Sequence, residues 1–284
     1  MIENIKTIAV AGAGAMGAGI AQVFAQAGYA VALFDLNPLQ LDKAKADIAA
    51  NLTGAVSKGK LSEQEKTDAI SKIQYTGDIN TLKAEVVIEA IVEKLEVKRE
   101  LFKKIAEINP PTTILASNTS SLPITQIAAG ISNPGRVVGM HFFNPAHIMK
   151  LVEVISGAET SAEVMETMKA LTLKLGKSLV VAKDSPGFIV NRVARHYYVE
   201  SLKMLEERVA SFENIDALME SAGFRMGPFN LMDTVGNDIN FAVTSSLYNS
   251  FHQDAKFRPS RIQQQKVDAG HFGKKSGRGF YNYS

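Results

Sequence analysis

Several groups of residues in this 284-residue chain have the types and spacing to do chemistry. Gly12, Gly14 and Gly17 form a G-x-G-x-x-G run directly after the apolar stretch 8–11. The first glycine permits a tight turn, the second lets backbone approach a pyrophosphate, and the third lets a helix pack on a strand. Ala15 and Met16 open the helix behind them and offer free N–H groups to an anion. Asp35 ends the next predicted strand roughly 20 residues further on. A carboxylate there accepts hydrogen bonds from the adenosine ribose and repels a 2′-phosphate, which favours NAD over NADP. A second group, Ser117, Asn118, Thr119, Ser120 and Ser121, is a dense hydroxyl and amide cluster at the carboxyl end of a predicted parallel strand, where ligands of open α/β sheets bind. Its members can instead cap the following helix, and Ser121 is assigned that task. A third feature is Glu153, a carboxylate inside the apolar run 151–155. Burying an unpaired charge is costly, so Glu153 either faces water at a sheet edge near Lys150 or has a partner, for which His141 is the nearest candidate. Asn191, between Val190 and Arg192, sits in a strongly helical stretch where Asn is a mediocre helix former, and a structural role there would need a buried partner.

The elements that must carry these groups follow from periodicity. Strands at 8–11 and 30–34 flank an apolar helix (Ile20, Val23, Phe24), and two helices follow, at 38–56 and from Ser62 to about Ile73. This helical pair is an insertion, and its tip at 57–60 carries Lys58 and Lys60. Those lysines can grip a phosphate-bearing ligand or simply be solvated, and on sequence alone the solvated reading is the commoner. Strands at 86–89, 113–116, 136–140, 151–155 and 178–182 alternate with helices at 95–108, 122–128 and 161–175. That rhythm predicts an α/β, Rossmann-type, largely parallel sheet. Ser185, Pro186 and Gly187 then punctuate the chain, with Pro186 in the first turn of a helix at 188–207 capped by Ser185 or Asp184. Helices at 212–222, 229–251 and 260–269 complete a second, all-helical domain. The expected division is 1–184 and 185–284. Apolar positions such as Leu231, Val235, Ile239 and Leu247 read either as a dimer interface or as internal core.

Composition narrows the function classes. With 46% hydrophobic and 21% charged residues, the chain is an ordinary globular protein. Its net charge of +2, with both signs interleaved, weighs against a nucleic-acid surface or a polybasic membrane patch. There is no cysteine, which removes disulfides, thiolate metal sites and a catalytic thiol, and no metal site is expected. The first strand begins within a few residues of Met1 and no apolar run approaches the roughly 18 residues that span a bilayer, so the expectation is a cytoplasmic protein.

The run from Ser117 to Ser121, followed by His141, Phe142, Phe143, Asn144, Pro145 and then residues 149–153, resembles the L-3-hydroxyacyl-CoA dehydrogenase family. The resemblance extends to residues 184–192, the Met226, Gly227, Pro228 turn with Asp233 and Gly236, and the tail 273–281. The length resembles the short monofunctional bacterial form. The resemblance implies a homodimer, paired through the helical domain, that acts on acyl-CoA thioesters such as 3-hydroxybutyryl-CoA with NAD as cofactor. It makes His141 the general base toward the C3 hydroxyl and Glu153 the group that orients the imidazole. It assigns Ser120 and Asn191 to the reacting oxygen or the thioester, and Ser120 also to the cofactor. It places Asn144, Glu93, Lys98 and Lys275 at cofactor-contacting positions, and Asn51 and Lys58 at positions that meet CoA. His147 and Asn237 depart from the family's usual proline and leucine. Other enzymes of similar fold fit less well: a UDP-sugar dehydrogenase needs a nucleophilic cysteine, and a 6-phosphogluconate-type dehydrogenase lacks the constellation of His141, Asn144 and Glu153. A non-catalytic reading also exists, since members of this superfamily can serve as structural lens proteins.

Overall fold

A computed structural model describes residues 2–283. The chain divides into two compact units that meet at Ser185 and Pro186. The first unit is an eight-stranded sheet in the order β3-β2-β1-β4-β5-β6-β7-β8. Its strands are β1 (Thr7–Ala11), β2 (Ala30–Phe34), β3 (Ile73–Thr76), β4 (Val86–Glu89), β5 (Ile114–Ser117), β6 (Val137–Phe142), β7 (Leu151–Ser156) and β8 (Ser178–Lys183). Every neighbouring pair is parallel except β6 and β7. Strands β4, β5 and β6 are buried along their whole length, the pattern of a sheet covered on both faces. The covering helices are α1 (Ala15–Gln26), α2 (Pro38–Ser57), α3 (Glu63–Ser71), α4 (Leu95–Ile108), α5 (Ile124–Ala128) and α6 (Ala162–Lys174). Ile8, Val10, Phe24, Leu33, Ile88 and Val138 belong to the apolar cluster beneath them.

The expected Rossmann-type sheet, inserted helical pair and helical second unit are all present, with four local corrections. The chain after Ser62 does not stay helical to Ile73. Helix α3 ends at Ser71, and Ile73–Thr76 forms β3, an edge strand beside β2 whose four residues are too few to show a period. The helix after the hydroxyl cluster starts at Ile124, and Ser121 does not cap it. Its first amides go instead to the Asp184 carboxylate at the end of β8, Ile124 N at 2.9 Å and Thr125 N at 2.7 Å. Asp184 is therefore engaged with α5 rather than capping the helix that follows it. That helix, α7 (Val190–Glu206), begins later than Pro186, because Gly187 and Phe188 adopt φ of +72° and +50°. Finally, the expected helix 229–251 is two helices, α9 (Pro228–Val235) and α10 (Asn237–Ser250), separated at Gly236 with φ +105°.

The second unit also contains α8 (Phe212–Ser221) and α11 (Arg261–Asp268). Tyr198, Leu202, Ile215, Phe229, Met232 and Phe280 form its core. The tail is fastened by the buried Asp233 carboxylate, which accepts from Phe280 N at 3.0 Å and Tyr281 N at 2.9 Å. No helix among the described residues is long and apolar enough to cross a membrane.

Candidate active site

The sheet order reverses between β1 and β4, and at the carboxyl ends of these strands lies a groove of about 640 Å³ lined by Gly12, Gly14, Asp35, Ala90, Ile91 and Val92 among others. Each glycine of the turn has its own reason. Gly12 has φ +102°, and a Cβ there would sit 2.6 Å from Ala90 O. A Cβ at Gly17 would sit 1.7 Å from Gly12 O, so helix and turn could not close. A Cβ at Gly14 would meet no protein atom within 4 Å. That position faces open space, which suits the approach of a pyrophosphate. Ala15 and Met16 begin α1 beside it, with Gly14 as the cap residue. Asp35 has an engagement that sequence spacing did not show: Oδ2 accepts from Ala13 N at 2.8 Å and Oδ1 from Asn37 N at 2.9 Å. The carboxylate thus ties the glycine turn to the end of β2, and its remaining lone pairs suit the vicinal hydroxyls of a ribose. The residues present fit a dinucleotide. A larger hollow, about 760 Å³, lies at the opposite, amino ends of the strands. Its buried guanidinium, Arg136, donates to Pro110 O at 2.8 Å and Ala106 O at 3.4 Å, so it serves the end of α4 rather than a reaction.

The hydroxyl cluster beyond β5 is organised by carboxylates. Glu93 Oε1 accepts from Thr119 Oγ1 at 2.5 Å, Ser120 N at 2.9 Å and Ser121 N at 3.3 Å. Its other oxygen pairs with Lys98 Nζ at 3.1 Å. Lys98 also meets Glu89 Oε1 at 2.5 Å, and with 1% of its side chain exposed it acts as a strut between two carboxylates. Burial pushes the Glu89 carboxyl up, against the opposing pull of Lys98. For Glu93 burial acts the same way, but the Lys98 ammonium and the Thr119 hydroxyl outweigh it and hold the carboxyl below its usual range. Glu89 was not among the residues singled out from sequence. The one available signal was a carboxylate ending the apolar run 86–89.

Strands β6 and β7 bring a histidine and a carboxylate together. Their antiparallel register sets His141 directly opposite Glu153, and His141 Nδ1 lies 2.8 Å from Glu153 Oε2. Glu153 is fully buried on a strand flanked on both sides, so the water-facing alternative near Lys150 is excluded. A carboxylate at Nδ1 makes that nitrogen the donor and leaves Nε2 as the proton acceptor. The His141 ring packs against Phe143 at 4.5 Å between centroids. Asn118 Oδ1 accepts from Phe142 N at 2.8 Å and so locks the end of β6 to the loop carrying Ser120. The following loop bears the exposed Asn144 and is clamped by Lys177, which donates to Ala146 O at 2.6 Å and Met149 O at 2.8 Å. His147 lies in that loop, and burial with the nearby Lys177 charge depresses its pKa.

Unit 1 thus brings Ser120, His141, Glu153, Glu93 and Lys98 to adjoining strand ends. Asn51 donates to Gln22 Oε1 at 3.3 Å from α2, and Lys58 and Lys60 are exposed at the tip of the helical pair. Asn191 and Lys275 belong to unit 2. Asn191 is the second residue of α7, in the first turn, where the low helix propensity inferred for an interior position matters little. Lys275 Nζ pairs with Asp238 Oδ2 at 2.7 Å.

Comparison with known proteins gives a concordant assignment. Residues 7–185 match the family described as "3-hydroxyacyl-CoA dehydrogenase, NAD binding domain", and residues 187–283 match its C-terminal domain. The whole chain is 51% identical to the 3-hydroxyadipyl-CoA dehydrogenase of Escherichia coli, of which it spans 60%. It is 44% identical to a probable 3-hydroxybutyryl-CoA dehydrogenase of Bacillus subtilis, with 99% of this chain and 98% of the relative covered. The crystal structure of an (S)-3-hydroxybutyryl-CoA dehydrogenase from Ralstonia eutropha superposes with a TM-score of 0.95 at 40% identity, covering 99% of this chain and all of the other. With the glycine turn, the Asp35 tie and the His141–Glu153 pair already in place, these matches show that the chain belongs to the 3-hydroxyacyl-CoA dehydrogenase family of NAD-dependent oxidoreductases.

Proposed function

We propose that the chain interconverts (S)-3-hydroxyacyl-CoA and 3-oxoacyl-CoA, with 3-hydroxybutyryl-CoA and acetoacetyl-CoA as its substrate pair. The observation that carries this reading is the buried His141–Glu153 contact of 2.8 Å at the carboxyl ends of the strands. In the oxidative direction His141 Nε2 takes the C3 hydroxyl proton, and Glu153 stabilises the imidazolium that forms. Bound NAD supplies the acceptor for the hydride that leaves C3. Ser120 and Asn191 hydrogen-bond the reacting oxygen or the thioester. Gly12, Gly14, Ala15, Met16, Gly17 and Asp35 hold the dinucleotide, with Glu93, Lys98, Asn144 and Lys275 completing its surroundings. Asn51 and Lys58 meet the CoA portion. The division between Ser185 and Pro186, one residue beyond the expected 184–185, separates the NAD-binding part from a helical part that pairs two copies. The exposed apolar residues Val193, Leu218, Phe224 and Ile239 support that pairing, and sedimentation showing a monomer at micromolar concentration would remove it. The reading places the protein in the cytoplasm.

The 51% identity to a protein named 3-hydroxyadipyl-CoA dehydrogenase favours a second reading, an acyl group ending in a carboxylate. An assay following NADH absorbance with acetoacetyl-CoA, longer 3-oxoacyl-CoAs and 3-oxoadipyl-CoA separates the two. The first reading expects the highest kcat/KM for the four-carbon substrate. A higher value for the dicarboxylic substrate selects the second, and no turnover with any of them returns the chain to a non-catalytic role.

A further inference from the structure

Glu89 lies outside both the glycine turn and the acid–base pair, yet it ends β4 beside the point where the sheet order reverses, and none of it is exposed. A carboxylate kept there must be fully answered by donors, or its desolvation would unfold the region. The donors are present. Oε1 accepts from Lys98 Nζ at 2.5 Å and from Ile91 N at 2.8 Å, and Oε2 accepts from Ser117 Oγ at 2.6 Å. Two of these bonds lead onward to the same peptide. Ser117 Oγ accepts from Thr119 N at 3.3 Å, and Lys98 pairs with Glu93, whose Oε1 holds Thr119 Oγ1 and Ser120 N. Neither route passes through His141 or Glu153.

We propose that Glu89 is a positioning residue that fixes residues 119–121 by these two routes and thereby presents the Ser120 hydroxyl to the reacting oxygen of the substrate. This rests on the role of Ser120 proposed above. A hydroxyl that must meet one oxygen within about 0.5 Å gains nothing from being near it on a loose loop, so the loop needs a rigid support. The charge of Glu89 matters as well as its shape. Lys98 is balanced between two carboxylates, and with one neutralised its ammonium is drawn onto Glu93, away from the geometry in which Glu93 receives the Thr119 hydroxyl and the Ser120 amide.

The test is a double-mutant cycle. Glu89→Gln keeps the shape and removes the charge, and Ser117→Ala breaks the shorter route while leaving the ion pairs intact. Each is made in the parent and in a Ser120→Ala background, with kcat for acetoacetyl-CoA reduction, NADH Kd from fluorescence titration and Tm recorded for all. Glu89→Gln is expected to lower kcat about tenfold in the parent but less than about threefold once Ser120 is gone; because Lys98 and Glu93 border the cofactor, its NADH Kd rises, though by less than kcat falls, whereas Ser117→Ala, which leaves both ion pairs, keeps NADH Kd within about threefold. Ser117→Ala is expected to lower kcat by about threefold and to show the same collapse, and it carries the comparison if Glu89→Gln does not fold. Losses that multiply in the Ser120→Ala background overturn the proposal, because general loosening would not depend on that hydroxyl. A rise in NADH Kd as large as the fall in kcat also overturns it, since Glu89 would then be shaping the groove through Ile91. If Ser120→Ala alone keeps parental kcat, the assigned role of Ser120 itself fails, a result distinct from either.

Discussion

Replacing Glu153 by Gln tests whether the pair across β6 and β7 works as a charged unit or only as a hydrogen bond. Glutamine is nearly isosteric, and its oxygen can still accept from His141 Nδ1, so what is lost is the negative charge facing the imidazolium. With Nδ1 and Oε2 2.8 Å apart, the charge centres lie about 4 Å from each other, where a unit pair attracts by about 4 kcal/mol at an effective dielectric of about 20. If about half a charge has formed on the ring at the transition state, the variant loses about 2 kcal/mol, or about 30-fold in kcat, and a full charge would bring the loss to about 10³-fold. Single-turnover reduction of bound NAD by (S)-3-hydroxybutyryl-CoA, the direction in which the ring starts neutral and gains the proton, isolates the chemical step, and NAD titration controls for the cofactor site. His141→Gln should lose at least about 10²-fold, and the double variant should be little worse than the poorer single one. A Glu153→Gln enzyme within about threefold of the parent would refute the reasoning: the contact would then be a hydrogen bond that orients the ring, with no electrostatic share in the reaction.

The glycine turn offers a contrast within one motif: Gly14→Ala should leave Tm within about 2 °C yet raise NADH Kd more than about tenfold, whereas Gly17→Ala should lower Tm by roughly 5 °C or more, because its Cβ would lie 1.7 Å from Gly12 O. Asp35→Ala should narrow the preference for NADH over NADPH and weaken both cofactors, since it also removes the acceptor of Ala13 N; a parent enzyme with higher kcat/KM for NADPH would contradict the reading of Asp35. Alanine at both Lys58 and Lys60 should raise KM for acetoacetyl-CoA more than KM for NADH, and an unchanged value at low salt would remove the phosphate contact. Glu93, held below the ordinary carboxyl value of 4.5, contributes stability that is present above that pH and lost as pH falls through the lowered value. The Tm deficit of Glu93→Gln relative to the parent should therefore be full near pH 7 and shrink below about 4.5, and a deficit independent of pH would show that the carboxylate is not paired in this way.

What the sequence disclosed and what it hid have physical causes. The turn, its helix and Asp35 were legible because each acts through local chain geometry: three glycines at fixed offsets, a strand before them and a helix after them. Helix α4 was readable to its ends because Pro110 and Pro111 cannot continue it. Strand β3 was not, since four residues on a sheet edge have no periodicity to read and no Gly or Pro separates them from the helix before them. The break at Gly236 was hidden for the opposite reason, because the apolar period runs on through a residue whose φ of +105° no sequence pattern reports. Ser121 was assigned to a helix cap by local habit, whereas the acceptor of those amides, Asp184, lies 60 residues away in the chain. Glu89 and Lys98 belong to the same class. Their pairing is a fact of tertiary packing, and sequence shows only two charges in amphipathic surroundings.

Topology explains why, of the two alternatives that sequence left open for Glu153, the pairing with His141 is the one realised. Parallel strands deliver their last residues to the carboxyl edge, and β1, β2, β4, β5 and β6 do so with the glycine turn, Asp35, Glu89, Ser117 and His141. Strand β7 runs the other way, so only a residue near its start can reach that edge, and Glu153 is the third residue of Leu151–Ser156. In a pleated sheet the side-chain period is two, so a slip of one residue between β6 and β7 would turn the carboxylate to the opposite face from the imidazole. The connection between these strands is too long to set register as a tight hairpin would; β7 is paired on both sides, and Lys177 donates to the loop carbonyls of Ala146 and Met149.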